Sequence, residues 1–519
     1  MERRGCARLR MVSRQQRSVR VSHRSGNGKL PRWIASGSAE RKQGRRIRCL
    51  VSAGAFRNPP DCPPERESFE TRGSCRLNPE CFSSQESEGT LSQLPFLNRQ
   101  ALYLRPDPAR VIVRPFKPAT EPRDLNPTDK TRANHIIDRM LALDPETVTS
   151  QLADVLENFE GRHRNLLKLF EARAGEMEEA FNTHAVFTQE QRQLAGAYFL
   201  NEYSFEASAL FNPSIVAHPD QSDVPAGSLR FVLSLRAVGE GHISSLTFRS
   251  GIIAADGKVS VDSTSRLASS PRINVHPDRE HVDLTFPPDE DISERVIFPV
   301  TESQSNGIED ARFVEFRDEG RSIYYATYTA YSGRAIRSEL IETSDFVSFR
   351  LSLLKGTASR NKGMALFPRK INGKYAMIAR QDNENLYLIY SDDLYTWDEG
   401  QAILKPQFPW EFVQIGNCGS PIELDSGWLM LTHGVGPVRK YSIGAALLDK
   451  KDPSKVLARL REPLVRPDIS EREGYVPNVV YTCGAMRHHD KIIFPYAISD
   501  TFSNFATIEI AALMQAMET

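Results

Sequence analysis

Two adjacent carboxylates and an arginine stand at the start of an apolar stretch near the middle of the chain. They are Glu309, Asp310 and Arg312, within SNGIEDARFVEF (residues 305–316). A carboxylic acid placed here could donate a proton to a leaving oxygen if partial burial raises its pKa. The second acid and the arginine would then decide which carboxyl is charged. An ordinary structural explanation is equally open, namely a loop held by a Glu309–Arg312 ion pair with Asp310 in a turn.

Basic residues recur at the same position within a repeated sequence pattern. Five aromatic or apolar runs, each entering a polar loop, begin at Phe231, Tyr324, Tyr375, Trp428 and Ile492. The fifth residues after these starts are Arg236, Thr329, Arg380, His433 and Ala497. If the runs are equivalent strands, two arginines and a histidine converge on one place, where they would suit a phosphate or carboxylate. Taken singly, each arginine is explained by a surface ion pair, and His433 by a hydrogen-bonded core position.

The elements that would position these side chains are short strands. From residue 205 onward, β-rich runs alternate with Gly, Asp, Asn and Ser turns, and helical periodicity is absent. The segments TSDFVSF and SDDLYTW match each other and start 48 residues apart, which is the length of one propeller blade. We therefore predict an all-β fold, a five-bladed β-propeller over residues 205–519, with the runs as first strands lining a central channel. The polar stretch between Gly251 and Val300 is expected to be a loop or an elaborated blade edge.

Residues 101–204 are predicted to form a mainly helical segment. Ile136 and Met140 share one helix face, Asp144 and Pro145 have the residue types of a helix start, and a further helix is expected over about residues 164–182. One short strand-like run, ARVIVRPF, precedes these helices. Helices of this kind pack against the main domain or against a second copy of the chain, so a homo-oligomer formed through this segment is one of two expectations.

The first hundred residues differ from the rest in composition. Residues 1–57 contain 14 Arg and 2 Lys against only Glu2 and Glu40, and five of the seven cysteines lie in the first 81 residues. Three interpretations stay open, namely an organelle transit peptide, a nucleic-acid-binding arm, or an extension that is no part of the working protein. Low hydrophobicity favours the third, and we expect residues 1–100 to be disordered.

Bulk properties exclude several classes of protein. The chain has 66 basic and 66 acidic residues, which gives no global reason to expect a nucleic acid or a membrane surface as partner. The sequence contains no run of 18 apolar residues, so it predicts no membrane-spanning helix. Few cysteines in the globular part favour a reduced, cytoplasmic protein. No CxxC pair and no HExxH motif is present, so we expect neither a metal nor a cofactor.

Six stretches between residues 205 and 515 carry a resemblance to a known family. They read FNPSIVAHPDQ, SLRAVGEGHISS, GIEDARF, NKGMALFPRKINGKYAMIAR, IGNCGSPIELDSGWLMLTHGVG and EGYVPNVVYTCG. In this order and combination they resemble glycoside hydrolase family 130, whose members include β-mannoside phosphorylases. The resemblance implies a five-bladed propeller, in agreement with the count of runs. It does not cover the first hundred residues.

The resemblance also implies a mechanism and a set of site residues. It implies that Asp310 protonates the leaving oxygen, through a hydroxyl of the mannose, while inorganic phosphate attacks the anomeric carbon from the opposite face. The product would be α-mannose 1-phosphate, with phosphate as co-substrate and small mannosides or mannooligosaccharides as the other substrate. The phosphate cradle implied by the family falls on Asn212, Arg236, Lys362, Arg380 and His433. A cationic cradle offsets the cost of desolvating a dianion.

Two departures from the family pattern keep a second activity open. Ala311 stands where the family has proline, and Glu423 stands where a nearby threonine is more usual. Some members are inverting hydrolases, which need a second carboxylate as base at roughly 6.5–9.5 Å from the acid. Glu423, Glu240 and Asp382 are the candidates for that base. A third alternative is a sugar-binding propeller without catalytic activity.

Contacts to the sugar are predicted more loosely. Expected substrate-binding residues are Glu309, Asp382, Tyr328, His242 and Asn478. Trp410 and Tyr475 are further aromatic side chains that could stack on a pyranose ring, although a place in the core explains each aromatic equally well. His242 could instead hold its own turn.

Overall fold

The computed structural model describes residues 96–119, 130–181 and 186–518. These residues form twenty-seven β-strands and five α-helices, numbered in chain order. The described chain is therefore mostly β, as the turn-rich pattern predicts. The prediction of a disordered head falls almost entirely on residues 1–95, which lie outside the described residues.

Four helices precede most of the strands, and a fifth follows the last strand. They are α1 (Arg132–Leu141), α2 (Pro145–Phe159), α3 (Leu166–Phe181), α4 (Gln189–Tyr198) and α5 (Ile510–Glu518). Asp144 caps α2 by accepting a hydrogen bond from the backbone N–H of Thr147, and Pro145 takes the first helical position. The predicted helix start is thus confirmed. None of the helices in the described ranges is both long and apolar enough to cross a bilayer.

Three strands lie near the helices in the chain. They are β1 (Leu97–Arg99), β2 (Val111–Pro115) and β3 (Leu200–Ser204). β2 and β3 pair with each other, so the predicted strand-like run is confirmed. β1 falls inside the stretch assigned to the extension, yet Leu97 is buried and pairs with Ile508 near the end of the chain. A strand of three residues with one buried side chain can join a distant sheet edge in this way without any local pattern that predicts it.

The largest sheet has eleven strands in two halves. The first half contains β4 (Ala209–Ala217), β5 (Leu229–Val238), β6 (Ser244–Ile253), β7 (Val259–Val261) and β10 (Val296–Ile297). The second contains β8 (Arg272–Val275), β9 (His281–Thr285), β11 (Gly307–Asp318), β12 (Arg321–Tyr331), β13 (Ile336–Thr343) and β14 (Ser348–Leu353). A single parallel pair, Gly307 with Ser244, joins the halves. Because β9 pairs with β14, the stretch after Gly251 elaborates the edge of the second half.

Three smaller sheets follow. The first has the order β15 (Ala365–Leu366), β16 (Tyr375–Ala379), β17 (Leu386–Ser391), β18 (Gln401–Leu404). The next has the order β19 (Gln414–Asn417), β21 (Gly427–Val435), β22 (Tyr441–Leu448), β23 (Val456–Arg459), with β20 (Ile422–Leu424) on β21. The last pairs β24 (Val480–Tyr481), β26 (Lys491–Ile498), β27 (Phe502–Glu509) and β1, with β25 (Met486–His488) on β26. Each half of the large sheet and each smaller sheet is called a strand set below.

All five predicted runs are strands, but in the hydrogen-bonded order each is second from one end of its set. They are β5, β12, β16, β21 and β26, and the strands beside them at that end are β4, β11, β15, β19 and β24. The expectation that the runs are first strands was therefore wrong. β15 and β24 have two residues each, and β4 and β11 carry register shifts, so these strands lack a clear apolar alternation.

The two matched segments occupy equivalent turns. Residues 343–349 join the third and fourth strands of one set, and residues 391–397 follow the third strand of the next. In each, an apolar pair is buried, Phe346 with Phe349 and Leu394 with Trp397. The repeat in the sequence is thus a turn whose apolar side chains anchor it to the core.

Candidate active site

Matching irregularities in two strands aim two polar side chains at each other. The pairing of β4 with β5 shifts within residues 211–214, and that of β11 with β12 shifts within residues 309–312. Inside these bulges Asn212 (φ 49°) and Asp310 (φ 55°) have a left-handed backbone, which is uncommon for residues other than glycine. Bulges redirect side chains. Here they bring Asn212 Nδ2 within 2.6 Å of Asp310 Oδ1, to which it donates a hydrogen bond.

Arg236 connects the two neighbouring carboxylates. It lies on β5 opposite Phe211, and its guanidinium carbon is 5.0 Å from the centre of that ring. Its Nη2 donates to Glu309 Oε1 at 2.7 Å, and its Nη1 donates to Asp310 Oδ1 at 3.3 Å. Among the described residues the ion pair of Glu309 is therefore with Arg236, and the local Glu309–Arg312 pair considered from sequence is not formed.

The carboxyl of Asp310 is buried among cations. Burial raises its pKa, but the charges of Arg236, Arg312 and Lys362 outweigh this effect and, with the hydrogen bond from Asn212, hold the pKa below its usual value. The expectation that partial burial raises the pKa of this acid was therefore wrong in direction. With these neighbours Asp310 is a carboxylate at neutral pH.

A tyrosine from another set supports the bulge that carries Asp310. Arg312 Nη1 donates to the backbone oxygen of Asp310 at 3.0 Å, and its Nη2 donates to the hydroxyl of Tyr481 at 2.8 Å. Tyr481 ends β24, and burial raises the pKa of its hydroxyl well above the usual value. Arg312 thus points away from Glu309 and fixes the backbone behind the acid.

His433 is a buried, neutral imidazole. Burial and then the charges of Arg380 and Arg312 hold its pKa well below the usual value. It can therefore donate one hydrogen bond to an anion but does not add a positive charge, which corrects its expected role as a cation. The imidazole packs over β19, where a Cβ added to Gly416 would lie 2.1 Å from His433 Cε1, so this position requires glycine.

Two cations of the site, the buried Arg380 and the half-buried Lys362, form no ion pair within the described part of the chain. Lys362 precedes β15, and Arg380 directly follows β16. No salt bridge or side-chain hydrogen bond from the described residues occupies the ammonium of Lys362 or the guanidinium of Arg380, and Arg380 Nε is buried without a partner. A buried charge without a partner is costly. The arrangement therefore provides for an anion from outside the chain.

These side chains line one pocket of about 320 Å³. Seven predicted site residues line it together, namely Asn212, Arg236, Glu309, Asp310, Lys362, Arg380 and His433. They come from β4, β5, β11, β21 and the loops at the ends of β15 and β16. An acid, an amide and several cations around one cavity can bind an anion next to a group that exchanges a proton.

Comparison with known proteins agrees with the stretches singled out in the sequence. The sequence profile of glycoside hydrolase family 130, described as β-1,4-mannooligosaccharide phosphorylase, matches residues 288–519. A 1,2-β-oligomannan phosphorylase of Thermoanaerobacter sp. (strain X514) is 37% identical over 217 residues, which cover 40% of this chain and 71% of the relative. The chain belongs to glycoside hydrolase family 130. The resemblance inferred from the motifs is thereby confirmed.

Two further comparisons involve proteins from Listeria innocua. Its β-1,2-mannobiose phosphorylase is 32% identical over 232 residues, covering 43% of this chain and 63% of the relative. A solved structure of the β-1,2-mannobiose phosphorylase from that organism, in complex with β-1,2-mannobiose, covers 60% of this chain and 92% of its own. It has 23% identity and a TM-score of 0.43.

Two predicted substrate contacts of this family 130 chain lie away from the pocket. Tyr328 is fully buried, where it donates to Glu339 at 2.6 Å and accepts from Gln304 at 2.7 Å. Asp382 closes its own turn. Although partial burial acts upward, hydrogen bonds from the turn, first from Asn385, lower the pKa of Asp382 to about 2. The structure does not bring either side chain to the site, because each is committed to a local hydrogen-bond network.

The other sugar-contact candidates do not line the pocket. His242 Nδ1 lies 2.7 Å from the hydroxyl of Tyr475, so the two side chains bridge the β5–β6 loop and the segment before β24. Asn478 accepts through its backbone oxygen from the backbone N–H of Tyr441. Trp410 donates to the backbone oxygen of Arg461 at 2.9 Å and packs over the glycines of β21 and β22.

Sequence reasoning missed several residues that line the pocket, above all Asp500. This acid lies in the turn between β26 and β27, with φ 49°. Burial raises the pKa of Asp500 to about 6, with the charges of Asp310 and Glu309 acting in the same direction and those of Arg236 and Arg439 against it. The run that forms β26 has Ala497 at the position shared with the other runs, and Asp500 lies three residues further along the chain. Arg439, Tyr441 and Tyr481 also line the pocket and carry no recognisable sequence signal.

No cluster of three or more His, Cys, Asp or Glu side chains that could hold a metal ion occurs among residues 96–119, 130–181 and 186–518. The expectation that the protein needs no metal stays a prediction.

Proposed function

We propose that this protein is a β-mannoside phosphorylase that uses inorganic phosphate to cleave β-linked mannosides, with inversion, to α-mannose 1-phosphate. Membership of family 130 supports this proposal. The names of the similar proteins, which are phosphorylases of β-1,2-oligomannan and β-1,2-mannobiose, also support it.

We further propose that the five strand sets are the blades of a five-bladed propeller over residues 205–519. The succession of five sets along the chain supports this arrangement. Residues 101–204 would then be a helical addition and residues 1–100 an extension. Association of copies through the helices and a location in the cytoplasm stay predictions.

The observation that carries the functional proposal is a pair of cations without an ion-pair partner beside a buried acid. Lys362 and Arg380 line the same pocket as Asp310, and neither forms an ion pair or a side-chain hydrogen bond with a described residue. A phosphate dianion would supply the missing negative charge, with Arg380 donating from its guanidinium and Lys362 from its ammonium. Neutral His433 and the amide of Asn212 would add hydrogen bonds.

The reaction would then proceed by direct displacement. A phosphate oxygen forms a bond to the anomeric carbon as the glycosidic C–O bond breaks, and Asp310 gives a proton to the leaving oxygen. Asp310 must hold that proton when both substrates are bound. We infer that the bound dianion, by offsetting the charge of Lys362, raises the pKa of Asp310 from its lowered value. Phosphate would thus serve both as nucleophile and as the ligand that allows the acid to be protonated.

Hydrolysis is the second candidate, and the positions of the carboxylates bear on it. Glu423 forms a two-point ion pair with Arg369, Asp382 closes its own turn, and Glu240 does not line the pocket. None of the three bases considered from sequence is therefore available at the site. Asp500 lines the pocket, and with its pKa near 6 it is the carboxylate that could activate water.

Incubation with β-1,2- and β-1,4-mannobiose, with and without phosphate, tests the proposal. We expect mannose 1-phosphate to form only with phosphate present, in step with disappearance of the disaccharide. Free mannose released at the same rate without phosphate would establish the hydrolase instead. Binding of mannobiose by calorimetry with no turnover under either condition would identify a sugar-binding protein.

A further inference from the structure

The size of the pocket raises a question about longer substrates. About 320 Å³ is at the lower end of the range of roughly 300–1,000 Å³ found for small-molecule sites. If the proposed function holds, the pocket takes the mannose that is transferred and the phosphate. The remaining sugar units of a longer mannoside must therefore extend past the mouth of the pocket.

Large apolar side chains are exposed on the segments that carry pocket-lining residues. Each is within two residues of a pocket-lining residue, and their exposed fractions are 64% for Phe412, 60% for Val413, 90% for Val438 and 47% for Tyr475. The lining neighbours in the chain are Gln414, Arg439 and Val476. These four exposed residues are called the mouth rim below. Exposed apolar groups next to a cavity are typical of a ligand-binding surface.

Hydrogen bonds connect the rim segments in series. The backbone N–H of Val413 donates to Val435 at the end of β21, and that of Tyr441 donates to the oxygen of Asn478. Tyr475 then reaches the β5–β6 loop through His242 Nδ1 at 2.7 Å. On the far side of that loop, the Tyr203 hydroxyl donates to the backbone oxygen of Glu240 at 2.8 Å. The rim is therefore a connected border and not four unrelated side chains.

The backbone at Val438 gives a second, independent observation. Val438 (φ 55°) and Arg439 (φ 54°) are consecutive residues in the left-handed region. A β-branched residue there is a true outlier, and such strain persists mainly at ligand clamps and active sites. Here the strained turn exposes the Val438 side chain almost completely and turns Arg439 into the pocket.

We propose that the mouth rim is a binding platform for the sugar units of a mannoside beyond the cleaved bond, so that the enzyme prefers mannotriose and longer chains to mannobiose. One face of a pyranose ring carries mostly C–H groups, which pack well on tyrosine, phenylalanine and valine side chains. His242, held beside Tyr475, can exchange hydrogen bonds with the hydroxyls at the ring edge.

The test compares a trimer with a dimer of the same linkage, in the β-1,2 and the β-1,4 series. We expect kcat/KM for the trimer to exceed that for the dimer by about tenfold, equivalent to ~1.4 kcal/mol. In the double variant Phe412→Ser/Tyr475→Ser that ratio should fall toward one, while KM for phosphate stays unchanged. The matched control is Tyr390→Ser/Leu457→Ser, which removes two similarly exposed apolar side chains outside the rim and should leave the ratio as in wild type.

A ratio near one in wild type, or one that survives the rim variant, overturns the platform. A wild-type dimer that dissociates in the rim variant without a change in the ratio would assign the rim to contact with a second copy of the chain. Absence of mannose 1-phosphate from every substrate would count against the proposed function instead. In that case calorimetry still tests whether the rim binds the trimer, because the trimer should bind more weakly to the rim variant than to wild type.

Discussion

Two buried groups of charges in this protein differ in whether every charged side chain has a partner within the chain. In the first, Arg110 and Arg249 both contact Glu206, with Arg110 Nη1 at 2.7 Å and Arg249 Nη2 at 3.1 Å. Arg110 also donates to the backbone oxygens of Ser265 and Ser293. All three side chains are almost fully buried. This group is closed, because each of its charged side chains has a partner within the chain, and it holds segments that are distant in sequence.

The pocket contains the second group, which is open. Asp310 and Glu309 share Arg236, whereas Lys362 and Arg380 have no carboxylate partner in the described part of the chain. The comparison shows that burial of charge does not by itself indicate a functional site. What distinguishes the pocket is a pair of cations without an ion-pair partner beside a cavity, which leaves room for an anionic ligand.

Loss of the proton donor is expected to have the largest effect. Asp310→Asn should lower kcat by about 10²–10⁴-fold, the usual contribution of a general acid, because the leaving oxygen then departs without a proton. Rates of phosphorolysis of mannobiose and of an aryl mannoside would be measured. The aryl leaving group needs little protonation, so the rate of phosphorolysis of the aryl mannoside should fall much less than that of mannobiose. An equal loss for both substrates would contradict the role of Asp310 as acid.

The closed group should respond in stability and not in catalysis. Arg110→Ala leaves Glu206 with Arg249 as partner but leaves the backbone oxygens of Ser265 and Ser293 without this donor. At ~1–3 kcal/mol for each unsatisfied buried group, we expect a loss of about 2–6 kcal/mol in the free energy of unfolding. Urea denaturation gives this value. The control is Arg162→Ala, whose partly exposed pair with Glu202 should contribute no more than about 1 kcal/mol. Similar values for the two variants would show that the closed group is not a structural anchor.

The open group should show the reverse behaviour. Arg380→Ala should raise KM for phosphate by about 10–100-fold, as expected for the loss of a charged hydrogen bond, with little change in unfolding free energy. Initial rates at varied phosphate give KM. Arg369→Ala is the matched control, because that guanidinium already pairs with Glu423 outside the pocket. A phosphate KM that rises equally in both variants would remove Arg380 from the anion site.

A smaller effect is expected at Asp500, where stability should depend on pH. Its pKa is raised from 3.8 to about 6, so the folded protein loses stability as the pH rises through this window and bears the full cost above it. Asp500→Asn should therefore stabilise the protein by ~1–3 kcal/mol near neutral pH and hardly at all near pH 4. Thermal unfolding at both pH values measures the difference. The same gain at both would show that the carboxyl is not perturbed.

The sequence predicted the strands better than their order within each set. Residues such as Phe231 and Trp428 form runs with a clear apolar character, and these runs are strands. The strands that precede them were missed because they are very short or bulged, so that no regular alternation marks them. The helix start at Asp144 was predictable because capping depends on neighbouring residues only.

Much of the candidate site was also predictable, for a specific reason. Arg236, Arg380 and His433 hold the same phase in equivalent strands, so repetition along the chain translates into proximity in space. Asp500 could not be predicted from the shared position in the runs, because it lies in a turn beyond the end of its run. Tyr328 and Asp382 have side chains of a type that suits contact with a sugar, but both are held by local hydrogen bonds away from the pocket.

The amino-acid sequence by itself determined the family, the mostly β architecture and the types of residue that meet at the pocket. These properties depend on local sequence patterns and on motifs made of a few consecutive residues. Only the tertiary structure decided the ionisation of Asp310, the neutrality of His433 and the absence of an ion pair at Lys362 and Arg380 within the described residues. A pKa and an ion pair depend on burial and on charges from other strand sets, and no neighbour in the chain reveals either.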